Sequence, residues 1–199
     1  MKFIRALTAS LFFVAVLLAV YHAHITYFKV NVVFYSAILD AVLAAGVAGA
    51  VLFGMRYFRA LGGFEKAQLV VIWLLGGYAF AISVPTVIDR SLSFYILEKL
   101  QQRGGGIQQA AFEAVFTQEY MKEHRLVDVR LTEQLASGTI VIRNGCVLLT
   151  PKGRDLATFS RYFRLHWLPK QRLLMGQYND DLTDPFRASG PAPSYTCGS

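Results

Sequence analysis

Apolar and polar positions follow two different patterns along this chain. As far as Ile88, apolar residues run together in three long stretches, residues 6–28, 32–55 and 67–88. Each has about the twenty residues that a helix needs to cross a hydrocarbon core. None shows the two-residue alternation of a strand, and only helices or closed barrels satisfy their backbone in lipid. The pattern predicts three transmembrane helices. Beyond Asp89, apolar positions recur at the three-to-four-residue spacing of amphipathic helices, and once at the two-residue spacing of a hairpin.

The first stretch, "ALTASLFFVAVLLAVYHAHITYF", follows Lys2 and Arg5, as a signal peptide would. No small-x-small cleavage site follows its core, and "AVYHAH" places large residues where small ones are needed. It reads as a retained signal-anchor helix. Arg56, Arg59 and Lys66 lie between the second and third stretches, whereas Lys29 alone lies between the first and second. Short loops rich in Lys and Arg stay cytoplasmic. The N-terminus is therefore expected in the cytoplasm, in an inner (plasma) membrane. Three crossings then place residues 89–199 outside, in a periplasmic or extracellular space.

Polar and small positions inside the stretches matter more than the apolar majority. Asp40 is the one acid well within a span, about nine residues and so roughly 13 Å from its outer end. An ionisable residue at such depth is a functional candidate by default. Its candidate neighbours are His22, His24, Ser83 and Thr86, and the alternative reading is a single hydrogen-bonded carboxyl that orients the bundle. In "AAGVAGA", Ala45 and Gly49 are four apart, as are Gly46 and Ala50. Small residues at that spacing let helices approach closely, with Gly76 and Gly77 as the receiving surface. This seam serves either packing within the bundle or a dimer or partner helix. Pro85 removes a backbone donor and is expected to kink the third helix.

After the spans, Ser91 caps an amphipathic helix that "GGG" at 104–106 stops. A second helix is predicted over 107–124, and a third over 127–136 with Leu131 and Leu135 facing the core. In "TIVIRNGCVLLTPKG", Ile140 and Ile142 alternate and are answered by Val147 and Leu149. Asn144-Gly145 is a strong signal for a type I′ hairpin turn. Thr150 and Pro151 then start a helix. Its continuation carries Lys152, Arg154, Arg161, Arg164, Lys170 and Arg172, interleaved with Phe159, Tyr162, Phe163 and Trp167. Leu156, Phe159 and Phe163 are expected to pack on the hairpin. The basic–aromatic mixture suits a lipid headgroup surface, with Arg161, Arg164, Trp167, Lys170 and Arg172 as its contacts. Residues 173–199 read as a turn-rich tail, disordered from Ala188.

Composition adjusts this picture. The net charge of +7 divides into +4 for residues 1–88 and +3 for residues 89–199. The outer part is thus too weakly basic for a dedicated nucleic-acid domain. Two distant cysteines, Cys146 and Cys197, build neither a zinc site nor a disulfide framework; they are expected to be unpaired, the alternative being a single Cys146–Cys197 bridge in an oxidising compartment. No cofactor or metal motif is present. "GGG" lacks the Lys-Ser/Thr of a phosphate loop, and the Asp180, Asp181 and Asp184 cluster lacks the calcium-loop pattern.

The order helix, helix, helix, hairpin, helix over residues 91–157 resembles the winged-helix superfamily. "LLTPKGRDLA" is similar to the strand-to-helix junction of its bacterial members. The resemblance implies an α+β extramembrane domain over residues 89–172, and in DNA-binding members a third helix that enters the major groove. Here that helix offers Arg130 against Asp128 and Glu133, a poor phosphate-facing surface. The expected function is that of a non-enzymatic multi-pass membrane protein. It would serve as an accessory or scaffolding subunit of a cell-envelope complex for assembly, export or glycan synthesis. Its partners would be the bilayer and a membrane protein or a second copy of itself. Two alternatives stand: a membrane-tethered transcription regulator, and a subunit of a membrane enzyme or transporter that uses Asp40.

Overall fold

The computed structural model describes residues 2–187. Contacts divide the chain into two units, Met1–Val129 and Arg130–Ser199. The first unit contains three helices long and apolar enough to cross a membrane. They are α1 (Lys2–Tyr27), α2 (Val33–Gly54) and α3 (Gly63–Ser83), the last continued after a break at Val84 by α4 (Pro85–Arg90). The break falls where Pro85 predicts it. Ahead of the apolar run at residue 6, α1 also includes Lys2, Phe3, Ile4 and Arg5.

The middle helix α2 meets both others. It presents Ala37, Ala41, Ala44, Ala45, Ala48 and Leu52 as a buried stripe. Small side chains let backbones approach closely, which strengthens dispersion between the facing surfaces. Against this stripe α1 places Ala9, Phe13 and Leu17, and α3 places Trp73 and Ala81. The rings of Phe13 and Trp73 stack with centroids 5.4 Å apart. The indole N–H of Trp73 donates to Ser10 Oγ at 3.1 Å, so this ring donor is satisfied.

The predicted small-residue seam is only partly internal. Ala45 is buried and Gly49 is half-buried, where a Cβ would lie 3.8 Å from Val70. Gly46, Ala50 and Gly76 instead face outward, and a Cβ on Gly46 or Gly76 would meet nothing within 4 Å. The close approach belongs to Gly77, where a Cβ would stand 2.6 Å from the Cβ of Ala41. At the Lys2 end of the bundle, Glu65 accepts from the Gly62 N–H at 2.6 Å and pairs with Lys2 at 2.9 Å. Arg5 lies over the Tyr57 ring, and Lys66 over the Phe53 ring. Three of the five cations that fix the expected orientation are thus held by acid or aromatic partners.

Beyond the spans, α5 (Leu92–Gln102) starts at Ser91, whose Oγ accepts from the Phe94 N–H at 3.3 Å. Gly104 and Gly105 stop it with φ of 80° and 98°. The second predicted helix is not uniform. A 3₁₀ turn (Gln109–Ala111) leads into α6 (Phe112–Ala114), a π-helical stretch (Val115–Tyr120) and α7 (Met121–Glu123). Bonding from i to i+5 brings residues five apart onto one face. Val115 and Tyr120 therefore both reach the small core around Tyr95. Arg125, at φ 44°, precedes α8 (Leu126–Ser137).

In the second unit, β1 (Ile140–Arg143) and β2 (Cys146–Leu149) pair antiparallel. Ile140 stands opposite Leu149 and Ile142 opposite Val147, the register that the alternation predicts. Asn144 and Gly145 supply the turn with φ of 50° and 77°. The junction to α9 (Pro151–Trp167) uses each residue of Thr-Pro-Lys-Gly. Thr150 Oγ accepts from the Gly153 N–H at 3.1 Å and donates to the carbonyls of Thr139 and Gly138. Pro151 occupies a position that needs no donor. Lys152 Nζ donates to the Ser137 carbonyl at 2.6 Å. Gly153 lies directly on the Thr139 carbonyl, where a Cβ would come within 2.1 Å of the oxygen.

Several expectations for this unit need correction. Leu156, Phe159 and Phe163 do not bury themselves on the hairpin; all three are exposed. Leu131 is half-buried and Leu135 exposed. From Arg130 onward, the buried residues among those described are Thr139 and Gly153. The start of the tail forms a second hairpin, β3 (Arg172–Leu174) with β4 (Gln177–Asn179), turning through Met175 and Gly176 at positive φ. Met-Gly is not a strong turn signal, so the pattern alone did not show it. Cys146 is disulfide-bonded rather than an unpaired thiol. Cys197 and the stretch expected to be disordered from Ala188 lie outside the described residues.

Candidate functional site

Asp40 is 1% exposed, in the middle helix of the bundle. One carboxyl oxygen, Oδ1, lies 2.6 Å from Nδ1 of His24 on α1. The other, Oδ2, is buried and has no hydrogen-bond partner. Of the neighbours that the sequence offered, His24 alone is bonded to Asp40. His22 and His24 are two apart and project to different sides of α1, so one helix rotation excludes the other. The hydroxyl of Thr86 is buried without a partner of its own. Tyr21 lies within electrostatic range of both Asp40 and Asp89 of α4. The His24 ring is partly open and meets Phe28 edge-on. Beside the pair is a cavity of about 340 Å³ lined by Val20, Ala23, Phe28, Leu39 and Leu43 together with His24 and Asp40.

This arrangement has definite chemistry. A carboxylate in an apolar surround is costly unless it is paired. A single imidazole supplies one partner and leaves the second oxygen unsatisfied. The pair can therefore hold a proton between Oδ1 and Nδ1, and it can accept one more donor at Oδ2. Among the described residues, no group of three or more His, Cys, Asp or Glu side chains could hold a metal ion.

A second polar cluster sits just beyond the spans. Lys99 is 4% exposed and bonds Glu119 at 2.6 Å and Glu123 at 2.7 Å. The Tyr95 hydroxyl donates to Glu123 at 2.9 Å, and Arg103 pairs with Glu119 at 3.0 Å. Hydrogen bonds from Lys99 hold both glutamates below the usual carboxylate range. The same bonds raise Lys99 above the ordinary lysine value. Lys99 therefore ties α5 to the segment that carries Glu119 and Glu123. The sequence did carry a sign of it: Tyr95 and Lys99, like Glu119 and Glu123, are four apart on their elements.

In the second unit, α9 buries Gly153 and turns its large side chains outward. Phe159, Phe163 and Trp167 form a row with centroids 6.0 and 6.4 Å apart. Leu156 extends the row, and Trp167 is 68% exposed. Of the basic residues expected at a membrane surface, Arg161 lies 3.8 Å from Asp184, and Arg164 sits over the Phe186 ring at 5.8 Å. Lys170 and Arg172 are exposed. Asn144 and Gly145 occupy an exposed hairpin tip and serve the turn.

No protein-family model, curated protein or solved structure matches this chain. The functional reading therefore rests on the geometry.

Proposed function

We propose that this protein is an accessory or scaffolding subunit of a cell-envelope membrane complex, whose second unit is completed by an external surface. The supporting observation is the unburied apolar face of α9. Leu156, Phe159, Phe163 and Trp167 lie within about one third of the helix circumference at 3.6 residues per turn. Fully burying four such side chains is worth roughly 1.5–3 kcal/mol each, so covering the exposed half of them gives about 3–6 kcal/mol. That is enough to dock a tethered unit. Aromatic rings with Arg164, Lys170 and Arg172 at the same end suit the headgroup region of a bilayer. The winged-helix-like order of elements then serves interaction rather than DNA reading.

The Lys/Arg bias of the short loops supports an outside location for residues 89–199, in the periplasm if the cell has one. The disulfide at Cys146 agrees with an oxidising compartment. A reporter that is active only outside the membrane, fused after Arg187, tests the sidedness. Activity is expected, and cytoplasmic activity of the complementary reporter would revive the regulator reading. The surface is tested in Trp73→Phe protein, where Trp167 is the remaining tryptophan. Lipids brominated near the headgroup are expected to quench its fluorescence. Unquenched emission with a solvent-like maximum would exclude a lipid-covered face.

A further inference from the structure

We propose that His24 and Asp40 form a proton-exchange site in the half of the bundle away from the Lys2 end, with His24 as the entry group and Asp40 as the store. Three observations carry this. The donor–acceptor distance is 2.6 Å, short enough for a proton to pass between Nδ1 and Oδ1. Asp40 is fully enclosed whereas the His24 side chain is 19% exposed, so a proton reaches the carboxyl through the imidazole. Among the described residues Oδ2 has no hydrogen-bond partner, so the imidazole is the one group hydrogen-bonded to this carboxyl. A structural tether would be expected to satisfy both oxygens, since a half-satisfied buried carboxyl is less favourable than an apolar contact.

The step balances without any other reactant. His24, neutral with its proton on Nδ1, takes a proton from water at Nε2. The Nδ1 proton then crosses to Asp40 Oδ1. The products are a neutral imidazole protonated at Nε2 and a neutral carboxylic acid, with one proton gained and no charge left in the apolar surround. Release runs in reverse. Of the titratable and charged groups, Tyr21 comes from α1 and Asp89 from α4, and Lys29 follows α1 by two residues. From α3 the candidate is Tyr78, which packs on Phe34 of α2. The cavity against the pair gives room for a donor at Oδ2, supplied by water or by a partner helix.

Infrared difference spectroscopy of the full chain in lipid vesicles tests the proposal. Between about pH 3 and about pH 9, which brackets ordinary carboxyl and imidazole values, a carboxylic C=O stretch is expected to grow as pH falls and to shift in D₂O. Asp40→Asn should remove that band. His24→Gln should move its midpoint, because it removes a directly bonded partner. A band that is absent or unchanged across the range, or a midpoint that His24→Gln leaves in place, overturns the proposal. If either variant fails to fold, ¹⁵N-histidine spectra of the unmodified protein decide. A His24 signal that changes tautomer in step with the carboxyl band supports exchange, and one that keeps its tautomer while the band titrates overturns it.

Discussion

Replacing Gly153 by alanine probes the most tightly specified point of the second unit. The glycine has ordinary helical backbone, so the restriction is space and not φ. A Cβ would come within 2.1 Å of the Thr139 carbonyl oxygen and 2.8 Å of Leu149 Cδ1. The leucine tip can rotate away, but the carbonyl is backbone and must move by about 1 Å to reach ordinary contact, near 3.3 Å for carbon and oxygen. That carbonyl accepts from the Thr150 N–H at 3.1 Å and the Thr150 hydroxyl at 3.0 Å. The shift also loosens the Thr150 cap on the Gly153 N–H. Overpacking costs about 1–3 kcal/mol, and a lost N-cap typically costs about 1 kcal/mol. One weakened backbone hydrogen bond adds about 1 kcal/mol. The better helix propensity of alanine returns about 1 kcal/mol. The net expectation is a loss of about 2–4 kcal/mol, local to the junction. Hydrogen–deuterium exchange on the full chain in nanodiscs reads it directly. Amides of Thr150 and of residues 153–156 should lose roughly 30-fold to 1000-fold in protection, at about tenfold per 1.4 kcal/mol, while the long apolar helices keep theirs. Protection within about threefold of the parent would refute the reasoning.

The two neighbouring span glycines separate packing from composition. Gly77→Ala should push α3 from Ala41 and lower resistance to unfolding in mixed micelles by about 1–3 kcal/mol, whereas Gly76→Ala, facing outward, should be neutral or slightly stabilising. Equal effects of the two would contradict the close approach at Gly77. The Lys99 cluster gives a pH dependence of known sign. Glu119 and Glu123 have lowered values in the folded protein, so their contribution is present above the ordinary glutamate value of about 4.3 and is lost as pH falls through the folded values. Amides of residues 95–123 should therefore lose protection below about pH 4. In Lys99→Met this acid step should shrink, and an unchanged step would show that the lysine does not hold these carboxylates.

The candidate site was half legible in advance. Asp40 stands out in any reading of an apolar run, because charge in lipid needs a cause. Its partner does not stand out. His22 and His24 are equally near in sequence, and the rotation of α1 against α2 chooses between them. That rotation follows from Phe13 stacking on Trp73 and from the alanine stripe of α2. The hairpin and its exit were legible almost residue by residue. Asn144-Gly145 and Thr150-Pro151 act through backbone preferences that need no distant partner. The role of Gly153 was not legible, since a carbonyl fourteen residues away excludes its Cβ.

Local physics thus settled what each segment is. Long apolar runs make three span-length helices, Pro85 interrupts the third, and alternation about a type I′ turn makes the hairpin with its register. Tertiary structure decided which faces meet. Gly77 rather than Gly76 receives α2, and Glu119 and Glu123 reach one lysine through a π-helical stretch. Leu156, Phe159 and Phe163 of α9 are expected as core from their spacing and stand exposed. A stripe of apolar side chains at helical spacing records that a face is to be covered. The covering surface depends on the relative placement of elements far apart in sequence, and periodicity along one helix carries no information about that.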